Sequence, residues 1–179
     1  MVSSRTEEGL PLPPNHLINM FIEGILAKAS ENHRIKVCHY TFLSNHFHML
    51  LVVVNPADVS RFVGYIKCEI SHVINRLMGR KKKTIWCRKY DSPKFLQVED
   101  IKKYIKYIYL NPAENGLETS VDNYPGVCSW KMFTERKHSF KAKKISRDEI
   151  KPLCSPALSV AEQKAVSYTH LTLPTICSV

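Results

Sequence analysis

Apolar side chains recur at three- and four-residue spacing in three stretches of the chain. Leu17, Ile18, Phe21, Ile22, Ile25 and Leu26 form the first stripe, which predicts an amphipathic helix running to about Ser30 with Asn15 as its N-cap. Phe62, Ile66, Ile70, Val73, Ile74 and Leu77 form the second, with Asp58 or Ser60 as cap and an end near Gly79. Ile101, Tyr104, Ile105, Ile108 and Tyr109 form the third. That helix opens at Glu99-Asp100, where acids suit a helix N-terminus, and is expected to stop at Asn111-Pro112, because a residue before proline is biased away from helix.

Between the first two helices the pattern changes. Ile35 to Leu43 and Phe47 to Val54 are rich in β-branched and aromatic residues and flank Ser44-Asn45, which predicts a tight antiparallel hairpin. Val2–Thr6 reads as a first strand, followed by the breaker-rich loop Gly9–Pro14. Thr84–Trp86 and Lys94–Leu96 are short extended candidates on either side of Asp91-Ser92-Pro93, and 113–130 is loop and turn. The order strand, helix, two strands, helix, strand, helix predicts an α+β protein: a ferredoxin-like antiparallel sheet with helices on one face. Many functions share that fold, so it fixes none of them.

Composition narrows the class. A length of 179 residues with 44% apolar content suits one domain with a short appendage. The longest unbroken apolar run, Met49–Val54, is far short of the ~20 residues of a membrane helix. Glu7 and Glu8 stand where the apolar part of a secretory signal would begin. Six cysteines without a Cys-x-x-Cys pair argue against a zinc ribbon or disulfide scaffold and fit a reducing cytoplasm. The net charge of +10 is confined to one region. Residues 1–75 carry six basic and six acidic side chains, 76–151 carry 19 and nine, and 152–179 are neutral. One basic half suggests a polyanion such as DNA or RNA as partner. Val166–Val179 has no charge and reads as a non-native tail, so His170 and Cys177 are set aside.

The candidate chemistry begins at Asn45-His46-Phe47-His48. Residues i and i+2 of a strand share a face, so His46 and His48 present adjacent imidazoles while Phe47 points into the other layer. Adjacent imidazoles suit a metal ion, although an isolated His-x-His is more often a hydrogen-bonded surface pair. Tyr107 and Asn111, four apart on the third helix, share one face. Asn111 could offer an amide oxygen to a metal, and Tyr107 a phenolate nucleophile. Tyr104, one turn earlier, is the rival nucleophile, whereas Tyr109 faces the core.

His46-Phe47-His48 on a hairpin, followed by the Tyr107-Ile108-Tyr109-Leu110-Asn111-Pro112 helix, resembles the single-tyrosine HUH transposases, and most of all the REP-associated tyrosine transposases and their insertion-sequence relatives. The likeness runs from about Val2 to Trp130 and includes Trp86-Cys87-Arg88-Lys89-Tyr90-Asp91, Tyr124-Pro125 and Ser129-Trp130. It implies the HUH endonuclease fold. It also implies a divalent metal, Mg²⁺ or Mn²⁺, held by His46, His48 and Asn111, and attack by Tyr107 on single-stranded DNA to leave a 5′-phosphotyrosine and a free 3′-hydroxyl. The DNA partner would carry a hairpin, and Tyr107 would serve its own histidines or those of a second copy in a homodimer. Residues 1–130 would be the catalytic domain, 131–151 a basic C-terminal extension and 152–179 a tail.

Arg80, Lys81, Lys82, Lys83, Arg88 and Lys89 are the first candidate phosphate contacts. Lys131, Arg136, Lys137, Lys141, Lys143, Lys144 and Arg147 are the second, with Trp86, Tyr90 and Trp130 available to stack bases. An RNA-binding module of similar topology and an inactive DNA-binding derivative are the alternatives. A replication initiator or relaxase is disfavoured by the short chain and the single-tyrosine helix.

Overall fold

The computed structural model describes residues 1–7, 9, 11–81, 83–143 and 150–152. Lys82, Lys144, Arg147 and the Val166–Val179 segment singled out above lie outside them. Three strands, β1 (Val2–Arg5), β2 (Lys36–Phe42) and β3 (His46–Val52), form an antiparallel sheet in the order β1-β3-β2. The predicted hairpin therefore supplies the centre and one side of the sheet. β3 pairs Ser3 with His48 and Arg5 with His46 on one side, and Thr41 with His48 and Phe42 with Phe47 on the other.

The Thr84–Trp86 candidate appears as an irregular edge rather than a full strand. Thr6 bridges to Trp86 and Ser3 to Asp91, with Cys87 N donating to Arg5 O at 2.9 Å between them. Lys94–Leu96 forms no strand; Pro93 has no N–H for a ladder, and Leu96 stands almost fully in solvent. On the far edge, Phe42 N donates to Val127 O at 2.9 Å and Ser129 N to Tyr40 O at 3.0 Å.

Helices α1 (His16–His33) and α2 (Ala57–Leu77) pack together on the sheet face that carries Val2, Tyr40, Phe42, Phe47 and Met49. Their stripes are those the sequence predicts: Ile18, Phe21, Ile22 and Leu26 from α1 and Phe62, Ile66, Ile70 and Ile74 from α2 are buried. Asn15 caps α1, its Oδ1 accepting from Ile18 N at 3.0 Å. The start of α2 differs from expectation. Asn55 Oδ1 accepts from Ala57 N at 3.1 Å, so the helix begins before Asp58. It ends just before Gly79, whose φ of 60° lets Arg80 N reach back to Asn75 O at 3.0 Å.

Helix α3 (Val98–Glu114) lies across the other face of the sheet, over a smaller cluster of Leu50, Ile108 and Tyr109 flanked by Ile101, Ile105 and Trp130. It passes through Pro112 instead of stopping there. Asn111 is buried inside the packed face, and the turn beyond is held by Asn115, whose Nδ2 donates to Asn111 O at 2.8 Å. A short helix, α4 (Trp130–Thr134), follows the β2 edge. Part of the basic stretch beyond it returns to the α1–α2 layer: Ile150 is buried there, and its carbonyl accepts from Arg76 Nε at 3.0 Å. Lys143 O crosses so close to α1 that a Cβ on Gly24 would come within 2.9 Å of it.

Candidate active site

Strand alternation places Phe47 and Met49 in the α1–α2 core and turns His46, His48 and Leu50 toward α3. The central position of β3 holds both histidines between two ladders. The imidazoles meet edge to face, with ring centroids 5.1 Å apart. From the helix side the Tyr107 ring stands against His48 at 5.0 Å, and Asn111 Oδ1 lies 3.0 Å from His46 Nε2. The fold thus brings together all four residues singled out for chemistry. Tyr107 remains 38% exposed, open to a solvent-borne substrate. Tyr104 packs on Phe95 at 4.7 Å, and Tyr109 is buried as expected, its hydroxyl 2.6 Å from His39 Nδ1 and 3.0 Å from Ser129 Oγ.

Burial decides the protonation of the pair. Loss of water, and the neighbouring His46, push the His48 imidazole down to about 4; loss of water also lowers His46, which its bond to Asn111 partly offsets. Both rings are therefore neutral near pH 7. A neutral ring has one N–H, yet His46 faces two amide oxygens: Asn111 Oδ1, and Asn45 Oδ1 at 2.6 Å from Nδ1. A cation held by Nε2 would resolve this, with Nδ1–H donating to Asn45 and Asn111 Oδ1 available as a fellow ligand. At 3.0 Å apart, Nε2 and Oδ1 are close enough for both to reach one cation. His48 points the same way: both ring nitrogens are buried without a hydrogen-bond partner among the described residues, a cost of about 1–3 kcal/mol for a polar group left so. The donor set fits a divalent metal.

Two supporting residues escaped the sequence reading. Asn115 Nδ2 donates to Asn111 Oδ1 at 2.9 Å, fixing which end of that amide faces His46. Asn45, read only as a turn residue, orients His46. The signal for Asn115 was its i+4 spacing from Asn111 on a helix expected to end sooner.

The profile of the family described as "Transposase IS200 like" matches residues 15–108. The transposases for insertion sequence element IS200 of Salmonella typhimurium and Salmonella typhi are each 30% identical over 122 residues, spanning 65% of this chain and 76% of theirs. The chain belongs to the IS200-like transposase family. A solved REP-associated tyrosine transposase, bound to a REP hairpin, shares the fold of this transposase. Its TM-score is 0.64 at 16% identity, over 82% of this chain and 87% of that one.

The candidate DNA contacts of the transposase divide by position. Arg88 and Lys89 are exposed on the edge segment beside β1, two strand spacings from β3, or ~10 Å. Lys81 and Lys83 are exposed in the loop after α2, and the half-buried Arg80 donates from Nε to Asn75 Oδ1 at 2.7 Å. Trp86 does not offer a stacking surface. It is 1% exposed, its ring lies 5.3 Å from Phe47, and its Nε1 donates to Lys67 O at 3.0 Å. Trp130 is half-buried against Tyr109, with Nε1 on Asp122 Oδ1 at 2.6 Å, and Tyr90 is half-buried.

Proposed function

We propose that this transposase cuts and rejoins single-stranded DNA through Tyr107, with His46, His48 and Asn111 holding Mg²⁺ or Mn²⁺. The observation that carries the proposal is the convergence of two elements. Tyr107 stands 5.0 Å from the His48 ring while Asn111, one turn on, meets His46 at 3.0 Å. When bound, the metal polarises the scissile phosphate and stabilises charge on its oxygens. Tyr107 Oη attacks phosphorus and forms a phosphotyrosine ester; the bond from phosphorus to the 3′-oxygen breaks, and that oxygen takes up a proton. The phenol proton leaves to solvent. Reversal by a new 3′-hydroxyl restores a phosphodiester, so joining needs no nucleotide cofactor.

Neutral imidazoles and a fixed amide oxygen make the cradle ready at pH 7 without protons to displace. Tyr107 packs on the histidine of its own chain, which supports a nucleophile that acts in cis. Arg88, Lys89, Arg80, Lys81, Lys82 and Lys83 guide the strand by its phosphates. The hairpin held by the solved neighbour, and the charge of +10, support a hairpin-bearing DNA as substrate. Residues 1–130 carry the chemistry and 131–151 add basic surface, in the cytoplasm. An RNA module of this topology needs an open sheet face for its bases; α1 and α2 cover one face and α3 the other.

The test is incubation of the full chain with single-stranded DNA hairpins and Mn²⁺, followed by a denaturing gel. A covalent protein–DNA band is expected, absent in Tyr107→Phe and present in Tyr104→Phe. A band that survives Tyr107→Phe overturns the assignment, and no band with any hairpin favours a derivative that binds without cutting.

A further inference from the structure

A second set of metal-type donors lies on α2, far from the histidine pair. Cys68, Glu69 and His72 each offer one ligand atom, and the three atoms lie within 4.8 Å of one another. The sheet separates them from the site above, since α2 packs on the Phe47 and Met49 face and the histidines of β3 point to the other. We propose that Cys68, Glu69 and His72 bind a zinc ion.

Helical spacing builds the pair. Residues i and i+4 stack on one face, which brings Cys68 Sγ to 3.8 Å from His72 Nε2. Arms of about 2.3 Å to sulfur and 2.0–2.1 Å to nitrogen, at a tetrahedral angle, span about 3.6 Å. The observed separation is thus close to a coordination edge and requires a shift of only a few tenths of an ångström. Chemistry selects the ion. A thiolate beside an imidazole suits zinc, whereas Mg²⁺ and Mn²⁺ prefer oxygen. Thiolate and carboxylate together carry two negative charges, so a bound Zn²⁺ leaves no excess charge beside Lys67, Lys83 and Arg88. Those three cations line the same groove as Cys68 and His72, about 410 Å³ between α2 and the following loop. Three ligands from one helix leave the fourth position to water or an anion from that groove. A search for paired cysteines misses this arrangement, because it mixes residue types across one helical turn.

The experiment titrates the reduced, chelator-treated full chain with Co²⁺, then displaces it with Zn²⁺. Binding should give near-ultraviolet sulfur-to-cobalt absorption that Zn²⁺ removes at one equivalent. The exposed Cys68 should tolerate Cys68→Ser, which abolishes the band. His72→Ala should weaken binding by more than the ~10–100-fold typical of losing an outer-shell partner. The double change His46→Ala and His48→Ala should leave the band intact, since that site has no sulfur. The proposal is overturned by absence of the band in the wild-type chain, by its survival in Cys68→Ser, or by unchanged affinity in His72→Ala. None of these results bears on the tyrosine chemistry.

Discussion

His48 is the most constrained residue of the candidate site. It is 7% exposed, both nitrogens lack a protein partner among the described residues, and burial with a neighbouring imidazole pushes its titration to about 4. The unfolded chain takes up this proton near pH 6.5, while the folded chain resists until about pH 4. Its contribution to stability is therefore complete above pH 6.5 and is lost as pH falls toward 4. For metal-free protein the loss should be on the order of 3 kcal/mol, read from urea midpoints across that range. His48→Gln should flatten the curve. Asn115 offers a second test. Its replacement by Ala frees the Asn111 amide to turn and should weaken Mn²⁺ binding by about 10–100-fold in calorimetry, while leaving the helix formed. That the two histidines share a face was legible from strand alternation. Asn45 and Asn115 were not, because each acts by orienting a partner supplied by the tertiary fold.

Among the elements, α3 departs furthest from its local signal. The sequence marks Asn111-Pro112 as a stop, and the helix runs on through it to Glu114. Local bias yields here to packing: Ile108 and Tyr109 are buried against the sheet, and Asn111 bonds to both β3 and Asn115. Tyr109 joins the helix to β2 and its edge through His39 and Ser129. Tyr109→Phe keeps the ring and removes both bonds, so it should cost about 1–3 kcal/mol in denaturant unfolding and slow adduct formation without abolishing it. The helical stripes and the hairpin were readable because their periods are strong. The irregular 85–91 edge was only half readable: its bridges to β1 are isolated and its register depends on the partner strand. Trp86 misled for a related reason. A tryptophan beside arginine and lysine looks like a DNA platform, yet this one fills the core under β3.

For the whole molecule, charge and chain pairing make separate predictions. DNA affinity should fall steeply with salt, and replacing Arg88 and Lys89 with Ala should reduce the slope by about one for each phosphate no longer neutralised. A slope unchanged in that variant would move the DNA track away from the β1 edge. If Tyr107 acts in cis, mixing His48→Ala protein with Tyr107→Phe protein should restore no adduct; restored adduct would mean that copies exchange helices. The α+β class and the antiparallel sheet were legible in the order of elements, but helices on one face were expected and α3 covers the other; nor was the return of Ile150 to the α1–α2 core legible, since one apolar residue in a basic stretch carries no period.

The placement of α3 also bears on how the molecule opens. β3 is laddered on both sides and backed by the main core, whereas α3 rests on the small cluster around Leu50. The proposed metal cradle on β3 and the proposed nucleophile on α3 thus belong to units of unequal resistance to local unfolding. Amide hydrogen exchange should show the β3 backbone among the last to exchange and α3 well before it. The chain can then lift Tyr107 away from the histidines while the sheet stays whole.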